Sequence, residues 1–167
     1  IGGLLPRHNI GDMGEAIDHI VQGVDYMSQR RIGALIVVER SDHLDNFINA
    51  SPLDCQLTAK ALASVFWKDS PLHDGAVIVR GGRIAAAGVI LPLTENLEYK
   101  DLPGTRHRAG IGISEDTDAM AVLVSEESGT ISVADRGKLT RGLSSDDLAI
   151  LLGRIFGPAA RRGRTRS

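Results

Sequence analysis

The apolar positions of this chain change their spacing several times, and each change marks a predicted element. Met13, Ile17, Ile20, Val21, Val24 and Met27 recur mostly three and four apart, the single stripe of an amphipathic helix beginning near Asp12. Asp12 and Glu15 resemble a capping box, with Asp in the Ser/Thr place. After Gly33, Ala34, Leu35, Ile36, Val37 and Val38 form a continuous apolar run, as in a strand covered on both faces. Residues 41–56, with Ser, Asp, Asn and Pro, predict a loop holding no more than a short turn. Helical spacing returns over 57–67 through Leu57, Ala61, Leu62, Val65 and Phe66, and Asp69-Ser70-Pro71 stops it.

The second half reads as strands with helices between them. Residues 76–79 and 83–91 flank Gly81-Gly82, a pair that tolerates positive φ, and so predict a β-hairpin closed by Pro92. Thr105 can cap a helix reaching about Ile113, and residues 119–124 predict a strand. A second hairpin joins 131–133 to 138–140 across Asp135-Arg136-Gly137. Ser144 or Ser145 caps a last helix through Leu148, Leu151, Leu152 and Ile155, which Gly157-Pro158 ends. Six strands and four helices, with hairpins and helical crossovers mixed, predict an α/β fold. Its central β-sheet is mixed and flanked by helices on both faces, a three-layer sandwich.

Composition narrows the class. A chain of 167 residues suits one domain, expected over 1–160. Hydrophobic residues make up 43% but aromatics only 4%, so aliphatic side chains fill the core and no base-stacking surface for a nucleic-acid partner is expected. The lone Cys55 has no disulfide partner and reads as a small core residue in a reducing compartment. Net charge is −2, yet Arg161, Arg162, Arg164 and Arg166 concentrate in residues 161–167, a basic tail expected to be disordered. No apolar run approaches the ~20 residues that cross a bilayer. The chain starts at Ile1 rather than Met, so a longer parent is expected.

Two polar segments interrupt the apolar middle. Pro71-Leu72-His73-Asp74-Gly75-Ala76 opens a strand, placing a carboxylate beside two small residues where backbone can approach a ligand. Gly104-Thr105-Arg106-His107-Arg108-Ala109 opens a helix, setting two guanidinium groups and an imidazole where anions are favoured. Asp74 suits a divalent cation, proton acceptance or a plain turn cap; an ordinary carboxylate is a weak base for an alcohol, which favours the cation. His73, alternating with Asp74 along a strand, should face the other way, as a metal ligand or an ordinary histidine. Arg106 and Arg108 are two apart and share no face of a regular helix, so either the segment unwinds or each meets a different phosphate. Ser125 and Glu127 follow a strand end before Gly129, and Leu91 ends a hairpin strand, suited to a ligand or to the core. No G-x-x-x-x-G-K-[ST] pattern is present, which excludes an ordinary P-loop ATPase.

The D-G-A and R-H-R segments, in this order, resemble the signatures of the diadenylate cyclase domain family. Residues 125–134 are similar to that family's third segment and residues 31–40 to its first strand, so the resemblance covers about 20–145. It implies condensation of two ATP into cyclic di-AMP with release of two pyrophosphates, with Mg²⁺ or Mn²⁺ as cofactor and a homodimer as the active unit. It assigns catalysis to Asp74, Gly75, Ala76, Arg106, His107 and Arg108. It assigns substrate contacts to Thr105, Leu91, Ser125 and Glu127, and the metal to Asp74 with His73. ATP rather than GTP follows from resemblance alone, and a regulatory protein partner is left unidentified. The helix leading into the first strand resembles the membrane-anchored form's cytoplasmic domain, whose anchoring helices would precede this chain.

Overall fold

The structure, a computed structural model, describes residues 11–157; the side-chain cap expected at Asp12 and the tail at 161–167 lie outside what it describes. The elements in chain order are α1 (Gly11–Arg30), β1 (Ala34–Val38), α2 (Asp45–Ala50), β2 (Pro52–Gln56), α3 (Ala59–Phe66), β3 (Ala76–Arg80) and β4 (Arg83–Val89). There follow a 3₁₀ turn at Leu97–Tyr99, α4 (Arg106–Asp116), β5 (Met120–Val124), β6 (Ile131–Asp135), β7 (Lys138–Leu143) and α5 (Ser145–Phe156). The strands form one mixed sheet in the order β2-β4-β3-β1-β5-β6-β7. Only β1 and β3 pair in parallel, Ile36 opposite Val77; β5 runs antiparallel to β1 with Ala34 opposite Val124.

Alternation along β1 splits the core into two layers. Ile36 joins Ile20, Val24 and Met27 of α1, Leu62 and Phe66 of α3, and Leu148 and Leu152 of α5. Leu35 and Val37 point to the opposite face and join Ile48 of α2 and Ile111 and Ile113 of α4. Each fully covered Leu or Ile contributes about 1.5–3 kcal/mol, so both helical layers are held by aliphatic burial, as the scarcity of aromatics requires.

Among the described residues there are seven strands, one more than expected, and five α-helices. The additions are α2 and β2, both inside the segment expected to be a loop. β2 is an edge strand paired antiparallel with β4, and all of it is exposed except half-buried Cys55. With only one neighbour, it neither alternates nor rejects Pro52. Cys55 accordingly packs at the core's margin rather than within it.

The end-caps follow sequence chemistry. Thr58 Oγ1 accepts from the Ala61 amide at 3.0 Å to start α3. Ser144 and Asp147 exchange two hydrogen bonds, at 3.0 and 3.1 Å, to start α5. The β6–β7 turn places Arg136 and Gly137 at φ of 49° and 78°, the two left-handed positions of a tight hairpin.

Candidate active site

Strand direction decides where the site forms. β1 and β3 begin, and β4 and β5 end, at the same edge of the sheet, and the start of α4 lies over that edge. A cleft of about 650 Å³ opens there, lined by Asp74, Gly75, Leu91, Thr105, Arg106, His107, Ser125 and Glu127 among others. These residues come from four segments that the chain keeps apart, 74–75, 91, 105–107 and 125–127. Leu35 and Val89 form the apolar floor, and Ile90, 77% exposed, stands on the rim.

Gly75 is required by geometry. Its φ is +89°, and a Cβ there would lie 2.6 Å from the Val89 carbonyl oxygen. Both the strained dihedral and the close backbone contact exclude any other residue. Ala76, by contrast, is wholly buried as the first residue of β3 and does not line the cleft. Its small size serves packing between the layers.

His73 and Asp74 precede β3, so strand alternation does not separate them as expected. His73 Nδ1 lies 2.8 Å from the Ser70 carbonyl, which can only accept; Nδ1 therefore carries a proton. The other ring nitrogen faces Asp74 Oδ1 at 3.3 Å. The Asp74 side chain is 82% exposed and lines the cleft, whereas His73 lines the adjoining cavity that shares Arg106, Glu126 and Glu127 with it. Mg²⁺ binds through one or two carboxylates plus substrate phosphates rather than in an all-protein cage. Among the described residues no group of three or more His, Cys, Asp or Glu could hold a metal ion; Asp74 supplies one exposed carboxylate and His73 one ring nitrogen beside it.

α4 is regular from Arg106, so its two arginines diverge, as the spacing argument requires. Arg106 enters the cleft, and its Nη1 donates to Glu126 Oε2 at 3.2 Å. Its Nε is buried and has no hydrogen-bond partner among the described residues. Gly33 makes room for it: a Cβ there would lie 2.5 Å from Arg106 Nη1. Arg108 does not line the cleft; its Nε and Nη2 donate back to the Gly104 carbonyl at 3.3 and 3.2 Å. Thr105 occupies the N-cap position, but its hydroxyl accepts no helix amide, leaving both hydroxyl and amides available to an anion.

His107 lies on the cleft wall and is buried. Burial first, then the charges of Arg141 and Arg106, push its pKa below the usual histidine value and keep the imidazole neutral. Ser125 Oγ accepts from the amides of Glu127 and Ser128, holding the turn after β5 that carries Glu126 and Glu127 to the cleft. Leu91 is buried beneath the cleft wall, in contact with both core and site. Glu126 and Gly33 were not singled out by sequence reasoning. Both stand inside the quoted segments, but their role depends on a contact with Arg106 that spacing does not reveal.

α4 reaches this position because of two glycines. Cβ atoms at Gly110 and Gly112 would lie 3.2 Å from Leu35 and Leu123 and 2.6 Å from the Pro92 carbonyl. The missing Cβ at Gly110 lets the helix settle directly on β1 and β5, and that at Gly112 lets the loop after β4 pass against its other side.

Residues 21–139 match the family model described as DisA bacterial checkpoint controller nucleotide-binding, abbreviated DAC. The chain is 42% identical over 139 residues to cyclic di-AMP synthase CdaA of Bacillus subtilis, covering 83% of this chain and 51% of that protein. It is 43% identical over 137 residues to a diadenylate cyclase of Listeria monocytogenes, covering 81% and 50%. The chain thus spans about half the length of these curated relatives. A crystal structure of a DacA double mutant from Staphylococcus aureus superposes with a TM-score of 0.81 at 44% identity, over 84% of this chain and 94% of that one. A structure of a hypothetical membrane spanning protein from Bacillus cereus gives a TM-score of 0.70 at 43% identity, over 76% and 63%. Sequence, fold and the convergence of the motif segments agree, and the chain belongs to the diadenylate cyclase (DAC domain) family.

Proposed function

We propose that this chain is a diadenylate cyclase domain that condenses two ATP into cyclic di-AMP and releases two pyrophosphates. The observation that carries this reading is the meeting of the Asp74-Gly75, Thr105-to-His107 and Ser125-to-Glu127 segments in one cleft of nucleotide size. Its volume falls within the ~300–1,000 Å³ usual for small-molecule sites. The names of the curated relatives support the same chemistry.

In each half-reaction a ribose 3′-hydroxyl gives up its proton to water, its oxygen bonds to an α-phosphorus, and the bond from that phosphorus to the bridging oxygen breaks. The electron pair leaves with pyrophosphate. Arg106, the free amides at the start of α4 and the Thr105 hydroxyl offset the charge that builds on phosphate. Neutral His107 adds a hydrogen-bonding wall without adding charge. Leu35, Val89 and Leu91 provide an apolar bed for adenine, and the small Gly75 brings backbone close to the ribose. Arg108, held on Gly104, supports the helix start rather than gripping phosphate directly. Asp74 and His73 would hold Mg²⁺ or Mn²⁺, which when bound would acidify the attacking hydroxyl and draw charge from the phosphates.

A ring made from two nucleotides needs each hydroxyl aimed in line at the other molecule's α-phosphate. Two copies with clefts facing across a two-fold axis meet this need with one repeated surface. Exposed Ile90 on the rim, with Leu93 beside it, supports a pairing face there. No helix among the described residues is long and apolar enough to cross a membrane. Anchoring of the parent protein by preceding helices belongs to the same proposal, supported by the Bacillus cereus protein's description as membrane spanning.

Incubation with ATP and Mn²⁺, followed by chromatography of nucleotides, tests the reading. Cyclic di-AMP and pyrophosphate are expected, and Asp74→Asn is expected to lower the rate by about a hundredfold or more. ATP binding without any cyclic product would make the domain a nucleotide sensor and overturn the enzymatic reading.

A further inference from the structure

The Ser132 hydroxyl is wholly buried and has no hydrogen-bond partner among the described residues. A buried hydroxyl left unpaired costs free energy, so its presence in the middle of β6 calls for a use. Its neighbours Ile131 and Val133 join the layer of α1 and α5, whereas Ala134 and Leu123, the residue directly opposite Ser132 on β5, join the layer under α4. Alternation therefore sets Ser132 beneath α4. Leu123 is where Gly110 rests, and His107 stands one turn before Gly110 on the same helix face. The edge strand bends toward the same spot. Ile131 pairs with Leu143 but Ser132 with Arg141, so β7 carries one extra residue, Gly142, at a φ of +75°. That bulge turns Leu143 to the α1 and α5 layer while Leu139, and with it Arg141, stays on the α4 side. Arg141 is the first of the two charges that disfavour the imidazolium form of His107.

Resting on the cyclase reading, we propose that Ser132 is a positioning residue for the reaction, its hydroxyl donating to one ring nitrogen of His107 while the other nitrogen donates to a phosphate oxygen. The reason lies in the proton count of a neutral imidazole, which has one N–H and one lone pair. It donates to phosphate only from the protonated nitrogen, and which nitrogen that is depends on the bond the other one makes. Arg106 is turned to Glu126 and Arg141 is exposed, which leaves the Ser132 O–H as the neutral donor enclosed beneath the helix. Arg141 keeps the ring from taking a second proton; Ser132 decides which nitrogen carries the one it has. Neither the hydroxyl nor the imidazole is engaged elsewhere among the described residues.

Ser132→Ala removes the hydroxyl without breaking a bond made within the chain, so its urea midpoint is expected to equal or exceed that of the parent. Its kcat is expected to fall about tenfold with KM for ATP nearly unchanged, because the His107 contact strengthens as charge builds on phosphate. Ser132→Cys, with a weak S–H donor in similar volume, is expected to fall between the two. Nitrogen NMR of the His107 ring, assigned against His107→Gln, reads the tautomer without turnover. With an ATP analogue carrying a methylene between the α- and β-phosphorus, one tautomer is expected in the parent and a mixture in Ser132→Ala. A lowered urea midpoint in Ser132→Ala, an unchanged kcat, or a single tautomer retained in that variant would each overturn the assignment. Loss of the tautomer in Arg141→Gln alone would overturn it too, by giving the role to Arg141. Tautomer selection by Ser132 in a protein that forms no cyclic product would instead refute the cyclase reading alone.

Discussion

Two glycines near the cleft look alike in sequence and differ in what they protect. At Gly75 a methyl group would meet rigid backbone at a φ of +89°, so Gly75→Ala is expected to cost about 2–4 kcal/mol of stability from strain and clash together. Urea unfolding measures it. At Gly33 the obstructed atoms are the far end of Arg106 and Glu126 Cβ, and the guanidinium can swing away. Gly33→Ala is therefore expected to fold with little change in midpoint while raising the KM for ATP several-fold. His107 gives a pH signature at the same scale. Its folded pKa lies below the usual ~6.5, so its contribution to stability is complete above that value. It declines as pH falls through 6.5 toward the folded pKa, because the unfolded chain takes up the proton first. His107→Gln is expected to flatten the loss of stability between pH 7 and 5.5. The carboxylates held low, Glu39, Asp45, Asp118 and Asp147, act only in a more acidic range.

Elements are tied together at the opposite end of the sheet from the cleft. Arg80, at the end of β3, donates to both Glu39 oxygens at 2.8 Å and to Asp45 Oδ1 at 2.6 Å, joining β1, β3 and α2. Glu39 is almost covered, and its burial opposes the charge, but hydrogen bonds from Arg80 and the Leu44 amide outweigh it and keep its pKa low. Arg80 itself is 42% exposed, so solvent screening limits the stabilisation. Arg80→Ala is expected to cost about 1 kcal/mol, discounted for that exposure. Cyclase activity at saturating ATP should not change, since the cleft lies at the other edge. A loss of activity with unaltered stability would show that the two ends are coupled. The edge strand β2 marks where element-level reading of the sequence stops: polar residues and a proline fit a loop and a one-sided edge strand equally well.

At the scale of the whole molecule, the proposed reaction joins two nucleotides and so calls for a second cleft. The proposed face-to-face pairing predicts that activity per chain falls as the protein is diluted below its dimerisation constant. Ile90→Asp is expected to bring that fall to higher concentration while ATP binding by the isolated domain persists. Rates read over a dilution series, beside sedimentation velocity, provide the check. Constant specific activity well below the dimerisation constant would exclude pairing as a requirement.

The chain's own chemistry determined the aliphatic three-layer class, the hairpins and the helix cap at Ser144, because each depends on local spacing or on neighbours within a few residues. The segments it singled out meet in the fold, since Asp74, Gly75, Thr105, Arg106, His107, Ser125 and Glu127 all line one cleft. Tertiary structure alone decided that Ala76 is buried, that Arg108 turns away to Gly104, and that His73 faces Asp74. It alone decided the pairing of Arg106 with Glu126 beside Gly33. The site lies where β1 and β3 begin, whereas ligands of open parallel sheets gather where strands end. That reversal arises because antiparallel β4 and β5 end at the same edge, and strand order and direction are properties of long-range pairing that no stretch of neighbouring residues contains.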